Sequence, residues 1–99
     1  MIERARSVRQ KYAKLETAKN GKEWTSEELA LGFVGDVGDL MKLIQAKEGI
    51  RSASNVDEAL AHELSDCLWS IIVLADSYNV DLEQAFSKTM YELEERLAG

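Results

Sequence analysis

The chain has 99 residues, 45% of them hydrophobic and 30% charged, with no proline and a formal net charge of −6. This composition favours order over disorder and predicts one small, largely helical domain, 1–99, whose limited core is completed by oligomerisation. The acidic balance argues against binding nucleic-acid polymers or anionic membranes, but not against a single nucleotide arriving with a metal ion.

The N-terminal Met1-Ile2-Glu3-Arg4-Ala5-Arg6 is charged and has no apolar run, so no signal peptide is expected. Ile2, Ala5, Val8, Tyr12 and Leu15 recur at steps of three and four, which predicts an amphipathic helix over 2–19. Its outer face carries Arg4, Arg6, Arg9, Lys11, Lys14 and Lys19. That is either a solvated face or one from which one or two cations reach phosphates. Asn20-Gly21 supplies a left-handed stop, and Trp24 lies in the short connection that follows.

Thr25, with Glu28 three residues on, reads as a capping box opening a second helix over 26–47, with Gly49 as its stop. Leu29, Phe33, Val37, Leu40, Met41 and Ile44 form its apolar stripe. Asp36 and Asp39 sit on the border of that stripe, and Gly32, Gly35 and Gly38 run beside them. Each helical glycine costs about 1 kcal/mol against alanine. The repeat is therefore read as room for a neighbouring backbone or a ligand along the acidic edge. It follows no strand, so it is not a dinucleotide fingerprint.

Residues 49–54 read as a polar loop, after which Asn55 and Glu58 predict a capped third helix over 56–78. Val56, Leu60, Leu64, Cys67, Leu68, Ile71 and Ala75 are its expected buried side, flanked by Glu63 and Asp66. The single cysteine fits a packing role in a reducing compartment. The longest apolar run, Ile71 to Ala75, is too short to span a bilayer, so a cytoplasmic protein is expected. Asn79-Val80 makes a tight connection, and Asp81 with Gln84 opens a fourth helix over 82–97. Its seam is Leu82, Ala85, Phe86, Thr89, Leu93 and Leu97. Four helices on short connections predict an all-α, four-helix bundle-type fold with mainly antiparallel neighbours.

The second and third helices each carry an acidic pair three residues apart, Asp36 with Asp39 and Glu63 with Asp66. Such pairs share a helix face. Packed side by side, the two helices bring four carboxylates together, and that cluster repels itself unless a hard cation sits in it. Oxygen donors without a neutral nitrogen ligand select Mg²⁺ or Mn²⁺. The lone histidine, His62, points about 100° away from Glu63 around the helix. No Glu-x-x-His pair is present for a di-iron site. The cluster suits attack of water on a nucleotide phosphate, with a carboxylate taking the proton. A metal-stabilised bundle and an interaction scaffold are the other readings.

Leu-Gly-Phe-Val-Gly-Asp-Val-Gly-Asp-Leu (31–40), His-Glu-Leu-Ser-Asp-Cys-Leu-Trp (62–69) and the Val80-Asp81-Leu82 helix start resemble the MazG-like all-α nucleotide pyrophosphohydrolases. The resemblance runs over 24–97 and is nearest the dCTP pyrophosphatase branch. It implies Mg²⁺-dependent hydrolysis of a (deoxy)nucleoside triphosphate to monophosphate and pyrophosphate, as in nucleotide-pool cleansing. It also implies Asp36, Asp39, Glu63 and Asp66 as metal-binding and catalytic residues, and a homodimer or homotetramer. Asp36 and Asp39 stand where the family usually has Glu, and Ala46 where that branch places an aromatic. The fourth helix puts Leu93, Glu94 and Glu95 where some members direct Lys and Asn toward phosphates. Trp24 is read as a base-stacking face or as a hydrophobic staple, and Lys42, Lys47 and Arg51 as phosphate contacts. Phosphoribosyl-ATP pyrophosphohydrolase and a non-catalytic helical oligomer binding nucleotide or a protein partner are the alternatives.

Overall fold

The computed structural model describes residues 1–49 and 55–98. They form four helices, α1 (Ile2–Asn20), α2 (Ser26–Lys47), α3 (Val56–Ser77) and α4 (Leu82–Leu97). No strand occurs among the described residues, and the fold is all-α. No described helix is long and apolar enough to cross a membrane.

Local chemistry sets the helix ends. Gly21 closes α1 at φ 79°, a left-handed conformation that glycine adopts without penalty, and its N–H donates to Thr17 O. Thr25 opens α2 with a reciprocal box. Its Oγ1 accepts the Glu28 N–H at 3.2 Å, and Glu28 Oε1 accepts the Thr25 N–H at 3.0 Å. The Thr25 backbone bond, helped by its hydroxyl, holds the Glu28 carboxyl below its usual range. At α4, Asp81 Oδ1 accepts the Gln84 N–H at 3.1 Å.

The expected cap on α3 is corrected. Asn55 is the N-cap residue, but at φ 52° it is left-handed and makes no side-chain cap bond. A capping side chain reaches the first turn from an extended backbone, which Asn55 does not have.

Helix α3 is the hub. It packs against α2 over most of their length, and also against α1 and α4. The buried residues are Ala5, Leu29, Cys67, Ser70, Ile72 and Val73, with Trp69, Leu74 and Leu82 packed on them. Arg6 ties α1 to α3 by donating to Asp76 at 2.6 and 2.9 Å. That bond is the main reason the Asp76 carboxyl lies below its usual range.

The predicted stripes are corrected in part. Leu64, Leu68 and Ile71 of α3 are exposed, as are Val37, Met41 and Ile44 of α2. From Cys67 to Ala75, α3 is almost continuously apolar, so periodicity leaves the phase of its buried face undetermined. Contact with α1 and α2 selects the row of Cys67, Ser70 and Val73. Helix α4 buries none of its own residues, and Phe86 on its seam is 62% exposed. The described residues extend over 54 × 39 × 21 Å, with apolar faces of α2, α3 and α4 exposed.

Candidate metal centre and adjoining cavity

Asp36 and Asp39 lie on one face of α2, three residues apart. Glu63 reaches the same place from α3. One carboxylate oxygen from each lies within 4.8 Å of the other two. Asp36 and Glu63 are half-buried and Asp39 is exposed. Among the described residues, no Lys or Arg forms an ion pair with any of the three. Burial pushes the Glu63 carboxyl above its usual range, and the negative charges of Asp36, Asp66 and Asp39 push it further. Crowded, mutually repelling hard oxygens without a cationic side chain fit a divalent cation such as Mg²⁺ or Mn²⁺.

Asp66 is one turn further along α3 and stands outside the group of three. Its Oδ2 lies 3.2 Å from His62 Nε2. His62 therefore serves Asp66, its i+4 neighbour, a pairing that sequence reasoning did not make. The Cys67 thiol is pushed up, first by burial and then by the charges of Asp36, Glu63 and Asp66, so it stays a protonated packing group.

A cavity of about 760 Å³ opens beside the acidic cluster, between α1, the start of α2 and α3. Asp36 and Asp66 are on its wall, so the cavity adjoins the acidic group through Asp36. The rings of Tyr12, Trp24 and Trp69 line it, with Val8, Leu15 and Leu29 between them. Trp69 is fixed by its indole N–H, which donates to Ala5 O at 3.2 Å, and by an edge-to-face contact with Tyr12 at 5.7 Å.

A family model described as the MazG nucleotide pyrophosphohydrolase domain matches residues 24–98. The chain belongs to the MazG family. No curated protein and no solved structure gives a significant match. The MazG match spans α2, α3, α4 and all four acidic residues, and its first residue is Trp24; α1 lies outside it. Nucleotide pyrophosphohydrolysis is the activity of the MazG family.

Of the expected substrate contacts in this MazG chain, Trp24 lines the cavity. Lys42 is exposed on α2 and is not part of the cavity wall. Lys47 donates instead to Asp57 at 2.5 Å, where the end of α2 meets the start of α3 beside Ala46. Arg51 lies outside the described residues. The basic face of α1 divides: Arg6 pairs with Asp76, Arg9 with Glu16, and Lys19 lies on the cavity wall.

Tyr12 and Trp69 were not expected as site residues. Tyr12 belongs to the apolar stripe of α1. Trp69 follows Leu68 in the quoted motif and was given no role. The glycines of α2 make room for no neighbouring backbone among the described residues. A Cβ on Gly32 would meet Trp24 Cζ3 at 3.8 Å, an ordinary contact, and one on Gly35 or Gly38 would meet nothing within 4 Å. No close approach among the described residues requires them.

Proposed function

We propose that the protein hydrolyses a (deoxy)nucleoside triphosphate to its monophosphate and pyrophosphate, with Mg²⁺ or Mn²⁺ as cofactor. One observation carries the reading: a three-carboxylate group inside the stretch that matches the family, one member of which, Asp36, also lines an aromatic cavity. Asp36, Asp39 and Glu63 hold the cation, and Asp66 completes the set from the cavity wall. The bound cation supplies charge neutralisation at the phosphates and activation of water. The base enters the cavity and stacks on Trp24, which gives affinity with little choice among bases. Water attacks the α-phosphorus, the bond to the β-bridging oxygen breaks, and a carboxylate of the set takes the proton.

The exposed apolar rows of α2, α3 and α4 support a homodimer or homotetramer as the working form. The free, buried Cys67 supports a reducing, cytoplasmic setting.

The test is pyrophosphate release from a panel of canonical and modified NTPs and dNTPs with Mg²⁺, alongside Glu63→Gln and Asp66→Asn. Release that both substitutions abolish is expected. A folded wild type that turns over no nucleotide refutes the reading, and release surviving both substitutions refutes the site.

A further inference from the structure

Trp24 sits in the α1–α2 connection, outside any helix, yet its peptide is held from both sides. Its N–H donates to Glu16 Oε1 at 2.7 Å. Its carbonyl accepts from Arg9 Nη2 at 2.5 Å. Arg9 Nη1 donates to the same Glu16 oxygen at 3.2 Å and closes the ring. The Arg9 and Glu16 side chains are only 17% and 13% exposed, so this pair is shielded far more than the other ion pairs of the described chain. A shielded guanidinium that bridges two acceptors with its fixed fork sets geometry where an exposed lysine would not. Both residues belong to α1, outside the family match, while Trp24 is the first residue inside it.

We propose that Arg9 and Glu16 are positioning residues of the nucleotide site: they clamp the Trp24 peptide and so hold its indole at the cavity wall for the base. The proposal rests on the pyrophosphohydrolase reading. The clamp makes no hydrogen bond to the acidic cluster, so it governs base binding rather than bond breaking. In its absence the indole must be ordered when the base arrives, and that cost appears in binding.

The test is steady-state kinetics of the full chain with Mg²⁺ and whichever nucleotide of the panel wild type turns over best. Arg9→Met keeps the aliphatic stem and removes both bonds. KM is expected to rise about tenfold with kcat within twofold, within what one stacked ring contributes. Trp24→Ala should raise KM on its own, and Arg9→Met added to it should change KM less than twofold. Arg9→Lys, with one ammonium for two acceptors, should fall between wild type and Arg9→Met. Circular dichroism checks each fold. Should Arg9→Met not fold, Arg9→Lys and Glu16→Met, which removes the acceptor, carry the same test. Turnover with an unmoved KM, an equal fall in kcat, or a full Arg9→Met effect in the Trp24→Ala background overturns the clamp alone. No turnover by wild type overturns the reading beneath it.

Discussion

Glu63→Gln removes one charge from three and keeps the side chain's shape. With oxygens within 4.8 Å of one another, two unit charges repel by at least about 0.9 kcal/mol at the dielectric constant of water, and by at least about 3.5 kcal/mol at an effective value of 20. Asp39 is exposed and the other two are half-buried, so the water value is the better guide. Glu63 takes part in two of the three pairs, which makes about 2 kcal/mol; salt at physiological strength reduces it to about 1 kcal/mol. In EDTA, Glu63→Gln should therefore raise the Tm by about 4–8 °C, and less at high salt. With Mg²⁺ at a hundred times its Kd, wild type gains about 2.7 kcal/mol that the variant largely lacks, and the order reverses. The assay is thermal unfolding followed by circular dichroism, at fixed protein concentration. A variant that melts at or below wild type in EDTA would refute the reasoning, because the three carboxylates would then not be repelling one another.

Metal-free stability should have two pH windows. The raised Glu63 pKa means the native state binds more protons, so stability rises as pH falls from neutral toward the ordinary carboxylate value; Glu63→Gln should flatten that rise. Asp76 and Glu28 have lowered pKa values, so their stabilisation is lost at lower pH still, as each protonates in the native state; Asp76→Asn should reduce that loss in an acid titration. Gly21→Ala puts a Cβ on a residue at φ 79° and should cost about 1–2 kcal/mol in urea unfolding, whereas Gly35→Ala meets nothing and should gain up to about 1 kcal/mol. Leu68→Glu, a charge on the exposed row of α3, should shift the protein toward monomer in light scattering; an unchanged mass would place the subunit interface elsewhere.

The helix ends were the most legible feature, because each is written in two or three adjacent residues. Asn20-Gly21, the Thr25–Glu28 box and Asp81 all act locally, and the structure places them where local chemistry puts them. Asn55 failed because an N-cap needs a backbone conformation as well as a side chain. The acidic pairs were legible through the i,i+3 rule, which brings Asp36, Asp39 and Glu63 together once α2 and α3 pack side by side. The rule cannot see that His62, one turn earlier on α3, takes up Asp66. The cavity was the least legible part. It depends on α1 crossing α3, a contact between residues such as Ala5 and Trp69 that are remote in sequence and carry no shared periodicity. The phase of α3 was ambiguous for a similar reason: a helix apolar on nearly every side lets its neighbours choose which residues are buried.

Among the described helices, α4 packs on α3 alone, and it buries none of its own residues. Seen through amide hydrogen exchange, that makes α4 a separate opening unit within one chain, released into solvent while α2 and α3 stay closed. Its protection then comes from whatever covers Phe86 and its neighbours. If that cover is a second copy of the chain, α4 exchanges more slowly as the protein is concentrated. The exchange rate of one helix becomes a gauge of assembly.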